Sequence, residues 1–257
     1  MKNGYYSPIV VDINNLRLFI YTVKSHLDMM NYFLRLSEVY VFDCFFGQAA
    51  HKITVDDFAN WSLVLEHENP YQTSYFGLFM ADYHITKFVQ IFNGAYSKEE
   101  KAILKDFEKF ECVHIDGKKC DKLRGFAIIA INEELCKDEG EVKENVLIHE
   151  LSHALYMANK SYKTFINRMY DQTGVAYQTV ILPVLANKYN IGYDRIEDEW
   201  AAYVLDNSTK LSKFKKYSEI ELKRVTDFFN NLLWSHASIV QGDKNNLVQK
   251  YLLKINS

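Results

Sequence analysis

Apolar residues recur along most of this chain at intervals of three and four, the spacing of one helix face. Asn15 to Ser37 predicts an amphipathic helix on that basis. Thr54 to Glu68 predicts another, opened by the capping pattern Thr54-x-x-Asp57. Tyr75 to Phe92 predicts a third, closed by Asn93-Gly94. Ser97-x-x-Glu100 forms a capping box before a helix that runs to Lys109. Ile9-Val10-Val11 fits a short strand, and the apolar run Val39 to Phe46 fits a strand or a buried helix end. Downstream, helices are expected over 141–158, 161–172, 175–189, 195–207 and 217–239, with a last one from about 245.

The rhythm changes between residues 111 and 132. Cys112 to Asp116 and Gly125 to Asn132 read as two strands around the basic turn Lys118-Lys119-Cys120-Asp121-Lys122. The expected fold class is therefore α+β, predominantly helical, with a small sheet beside the helix at 141–158. No repeat and no Gly/Ser/Pro linker divides the chain. Residues 1–110 form a helical N-terminal lobe, for scaffold or substrate recognition, and 111–257 carry the chemistry, unless the whole is one continuous domain.

Composition narrows the partners. With 48% hydrophobic residues in 257, a sizeable core is within reach. A net charge of −3 argues against a nucleic-acid binder, whose domain is normally basic. Cys44, Cys112, Cys120 and Cys136 contain no CxxC pair, which fits reduced thiols. The N-terminus shows no apolar signal core and the chain no membrane-length apolar run, so a cytoplasmic protein is expected, with export by a non-classical route left open. The four lysines between Lys210 and Lys216 fit a solvated helix lead-in.

One stretch carries chemistry: His149-Glu150-Leu151-Ser152-His153. Two histidines four apart project from one helix face, and both rings can reach a single Zn²⁺ at about 2.0–2.1 Å. The window Val146 to Leu155 has no charge except Glu150 and no proline or glycine. A helix apolar on two flanks is usually buried. Buried His, Glu and His need partners, because unpaired polar groups are costly there, and a metal supplies them.

This window resembles the active-site helix of the zincin metallopeptidases at every position of their longer pattern, from Val146 to Leu155. The resemblance implies a zinc enzyme acting on a peptide or protein substrate. In it, Glu150 is the general base toward a metal-activated water. Tyr156 and Asn159 stand where the metzincin branch has glycine and its third histidine, so that branch is excluded. The gluzincin branch draws a glutamate from a later helix, here Arg195 to Leu205. Glu197 and Glu199 compete for that place. Asp198-Glu199 with Ala202 resembles the gluzincin pattern and favours Glu199. Tyr203 occupies the position where many gluzincins place an aspartate against a bound histidine, and Asp206 is the candidate replacement. Tyr203 and Tyr156, each one turn from a proposed ligand, are candidate oxyanion donors. In zincins an edge strand before the motif helix takes up extended substrate; Phe126 to Ile131 fits either that edge or a buried central strand. His236 fits a core histidine or a transition-state proton donor. The rival functions are a non-catalytic zinc-bound helical interaction module and a toxin- or effector-like protease specific for one protein. The oligomeric state is not legible.

Overall fold

Leu16 to Val23 is almost unbroken apolar sequence, rich in β-branched and aromatic residues, and it builds the middle of a sheet. The computed structural model describes residues 7–64, 77–138, 143–175, 178–179, 182, 196–206 and 219–241. In it, β1 (Ile9–Ile13) and β2 (Leu16–Val23) form an antiparallel hairpin. Its loop is Asn14-Asn15, with Asn14 in the left-handed region at φ 54°. Asn and Gly are the residues that tolerate that backbone. The helix expected over Asn15–Ser37 is therefore a strand followed by α1 (His26–Ser37). The helix begins only where Ser25 caps it by accepting from the Asp28 amide.

The other strands among the described residues are β3 (Gly77–Ala81), β4 (Val113–Asp116), β5 (Lys119–Lys122), β6 (Gly125–Asn132) and β7 (Ala237–Gln241). Five of them form one mixed sheet in the order β3-β6-β2-β1-β7, and β4 and β5 form a separate hairpin. β6 runs parallel to β2 and antiparallel to β3. Gly125–Asn132 is thus a buried central strand, and the edge nearest the motif helix is β3. The segment expected as a helix over Tyr75–Phe92 is β3 joined directly to α4 (Asp82–Phe92). α4 does stop at Asn93, at φ 46°.

Helices cover both faces of the sheet. α2 (Val39–Phe46), α3 (Val55–Val64) and α5 (Lys98–Lys109) join α1 and α4 on one face. α7 (Lys143–Ala158), α8 (Lys160–Gln172), α9 (Ile196–Leu205) and α10 (Glu219–His236) lie on the other, and the short α6 (Glu133–Asp138) follows β6. The strands alternate accordingly. Phe19, Tyr21 and Val23 of β2 face the first layer, while Leu18 and Ile20 face the second. A sheet buried on both sides reads as continuous apolar sequence, without the alternation of a one-sided strand. The result is mixed α/β and mainly helical with a small sheet. The first 110 residues are not wholly helical, since they supply β1, β2 and β3.

Local signals hold where they were expected. Thr54 and Asp57 exchange capping hydrogen bonds ahead of α3, and Ser97 and Glu100 form a reciprocal capping box on α5. Val39–Phe46 is helix, part of the expected basic turn is β5, and α10 gives way to β7 at Ala237 where helix to 239 was expected. Residues 65–68, Lys210–Lys216, most of 175–189 and everything beyond 241 lie outside the described residues. No described helix is long and apolar enough to cross a membrane.

Glu100 has a second task. It pairs with Arg35 inside the first layer at 2.9 Å, with both side chains buried. Arg35 also donates to the carbonyls of Ile53 and Ala95 and lies 4.0 Å from the Phe92 ring centre. This one guanidinium ties α1 to α4, α5 and the loop before α3. Removing one partner of a buried pair strands the other charge. Glu100→Ala is expected to lower the unfolding free energy by about 3–5 kcal/mol. Urea denaturation of the variant measures it, and a loss below about 1 kcal/mol, the surface-pair range, contradicts it.

Candidate metal centre

α7 is buried along two flanks. Leu147, Leu151, Ala154 and Leu155 pack into the second core layer, beside β3 and β6 of the sheet. Ser152 meets the Tyr162 hydroxyl at 2.9 Å, which pins α7 to α8. The polar residues His149, Glu150 and His153 are left on the side facing α9 and β3. α9 packs along α7, and its Ala201 and Ala202 are fully buried. Small residues let two helix backbones approach closely.

Three carboxylates of α9 and its C-terminal end meet the two histidines. Asp198 Oδ1 lies 2.9 Å from His153 Nδ1, and Asp206 Oδ2 lies 3.0 Å from His149 Nδ1. The pairing order shows that the helices run antiparallel here: the later histidine meets the earlier aspartate. Glu199 Oε2 lies 3.8 Å from Nε2 of both histidines. One ligand atom each from His149, His153 and Glu199 lies within 4.8 Å of the others. The ring centres of the two histidines are 5.0 Å apart, at 79° to one another.

The donor chemistry fits a small divalent cation. An ionised aspartate only accepts, so each Nδ1 carries the proton and donates it. In the neutral ring this leaves the lone pair on Nε2, at the side where Glu199 stands. Tetrahedral zinc with N and O ligands separates them by about 3.4 Å, from bond lengths near 2.1 Å. The observed 3.8 Å needs only a small contraction. Two nitrogens and one carboxylate oxygen are the donor set of a catalytic zinc site, with a fourth position left for water or substrate.

The electrostatics point the same way. Burial lowers the His153 pKa, but the charge and hydrogen bond of Asp198, followed by Glu199 and Glu150, outweigh it and push the value up to about 9. The surroundings of His153 therefore favour positive charge. Glu150 is buried, and burial raises its pKa despite both histidines nearby. Such a carboxylate holds a proton more firmly than an exposed one.

Among the residues singled out by sequence, the structure brings together His149, Glu150, His153 and Glu199. Glu199, not Glu197, supplies the oxygen that approaches both rings. Asp206 does take the place beside His149. Tyr203 lies edge-on to the His149 ring, with centres 4.7 Å apart. Tyr156 differs from expectation: its hydroxyl donates to Asn167 of α8 at 2.8 Å, so that donor is used away from substrate chemistry. Burial, then Glu197 and Asp198, push its pKa up to about 12. The His236 side chain lies outside the described part. Sequence reasoning misses two residues. Asp198 figures in it only as a neighbour of the ligand, and its spacing to His153 shows no sequence signal. Gly77 of β3 abuts Glu150, a contact between elements far apart in the chain.

Comparison with family models, with curated proteins and with solved structures finds no match to this chain.

Two pairs of variants separate the roles around the rings. Glu199→Ala is expected to abolish tight zinc binding while Glu197→Ala leaves it intact. Asp198→Ala and Asp206→Ala are each expected to weaken zinc affinity about 10–100-fold, because each holds only the far nitrogen of a ring. Competition against a chromophoric chelator reads all four, and equal losses from Glu197→Ala and Glu199→Ala contradict the assignment.

Proposed function

We propose that this protein is a zinc-dependent metallopeptidase of zincin type, nearest the gluzincin branch, that hydrolyses peptide bonds. One observation carries the reading: a single Glu199 oxygen stands 3.8 Å from Nε2 of both motif histidines, while an aspartate holds the far nitrogen of each ring. A structural zinc site closes with four protein ligands and has no use for a buried glutamate beside it. Glu150 is that extra group.

His149, His153 and Glu199 would hold the zinc. When bound, the ion would supply a Lewis acid able to polarise a carbonyl and to lower the pKa of water from 15.7 to about 7. Glu150 takes the proton of the attacking water on its carboxylate and delivers it to the leaving amine nitrogen. The raised proton affinity of the buried carboxylate suits it to both halves of that transfer. Asp198 and Asp206 keep the rings in one tautomer and one orientation. Tyr203, beside His149, is the donor proposed for the oxygen that gains charge as the carbonyl is attacked.

The fold also suggests how substrate is held. Among the described residues β3 is the sheet edge next to α7, and the side away from β6 can accept an extended peptide by strand addition. This role moves from Phe126–Ile131, which the sheet buries, to Gly77–Ala81.

Glu150→Gln tests the reading most directly. The variant is expected to keep one zinc per chain and to lose about 10²–10⁴-fold in turnover of an unstructured protein substrate. Metal analysis beside a peptidase assay measures both. Wild-type turnover in the variant, or zinc-loaded wild type without hydrolysis of any unfolded protein or peptide mixture, overturns it.

A further inference from the structure

Gly77 begins the edge strand β3, and the space beside it is already filled. A Cβ built on its backbone would stand 2.6 Å from Glu150 Oε1, 2.8 Å from Val146 Cγ1 and 3.0 Å from Glu150 Cγ. Real side chains do not approach so closely. Gly77 does not lie in the left-handed region, so its backbone conformation does not demand glycine. Glycine weakens a strand interior, and its usual justification is the close approach of another group. The other described glycines face open space or contacts of 3.5 Å and more. Of the described glycines, Gly77 alone meets a carboxylate, and that carboxylate is Glu150.

We propose that Gly77 is a positioning residue for Glu150. Its missing side chain lets the main chain of β3 form a wall against the carboxylate, which sets where the Glu150 oxygens stand relative to His149 and His153. The role of Glu150 in proton transfer belongs to the reading above; the steric dependence of Glu150 on Gly77 does not. Proton transfer is sensitive to such placement, since a shift of about 1 Å can cost 10²-fold in rate. Any side chain at 77 must push the Glu150 head group out of its place or push β3 off α7.

A thermal-unfolding cycle on the full chain with zinc added tests this. The cycle is built on a Val146→Ala parent, because Val146 Cγ1 at 2.8 Å would still clash when residue 150 is alanine. The four proteins are that parent and, on it, Gly77→Ala, Glu150→Ala and the two together. Alanine in place of a strand glycine normally stabilises, by restricting the unfolded chain. Here Gly77→Ala is expected to lower Tm by about 4 °C or more when Glu150 is present, and by less than about 1 °C when residue 150 is alanine. A single Gly77→Ala variant that fails to fold beside a double variant that folds supports the proposal equally. An equal Tm loss in both backgrounds, no loss in either, or two unfolded variants overturns it. With a peptide substrate, Gly77→Ala is further expected to lose about 10²-fold in kcat with KM and zinc content unchanged. Should the wild type hydrolyse no peptide, the peptidase reading fails, while the Tm cycle still decides the role of Gly77.

Discussion

Everything at the centre depends on the antiparallel seam between α7 and α9. Two imidazoles four residues apart on one helix meet two aspartates eight residues apart on the other. The hydrogen bonds fix the tautomer of each ring, so both lone pairs turn toward one point, and Glu199 stands there. The seam is costly in itself. Asp198 and Glu199 lie in the first turn of α9, where the helix dipole favours carboxylates. Asp206 lies at its other end, where the dipole opposes one. Its bond to His149 is the interaction that offsets that cost.

The sheet explains why the seam stays put. α7 packs on the face formed by β6 and β3, and the alternate residues of β2 and β6 fill both layers. β6 is held between two neighbours, β2 and β3. β3 has one strand partner among the described residues and abuts Glu150. The strand that abuts Glu150 is thus an edge strand among the described residues, while His149, His153 and Glu199 stand on packed helices.

Local signals were legible in the sequence, and contacts across the fold were not. The spacing of His149 and His153 needs only one helical turn to be meaningful, and the capping boxes at Thr54 and Ser97 lie within four residues. Asp206 was reachable from its spacing to Glu199, seven apart on one helix face. Asp198 was not, because its partner is set by how two helices cross. β2 and β3 were hidden for a different reason. Burial on both faces erased the alternation that marks a strand, and each strand runs into an apolar helix whose period absorbed it. With β3 hidden, Phe126–Ile131 of β6 was left between the edge role and a buried central place, and the sheet gives it the second. Gly77 gave no signal at all, since the reason for a glycine there is a carboxylate 73 residues away.

The arrangement around the two rings also bears on how a cation would be received. Four carboxylates, Glu150, Asp198, Glu199 and Asp206, surround two histidines in a largely buried pocket. Acids grouped in this way repel one another, and the upward push on the His153 pKa expresses the same field. A proton on one ring relieves part of it; a dication at the shared focus relieves more. The rings are already oriented by Asp198 and Asp206, so binding has little left to organise beyond drawing Glu199 inward by a few tenths of an ångström. A site prepared to this degree loses little of its binding energy to rearrangement. The same free energy then favours the folded chain, because the unfolded one cannot hold these groups together.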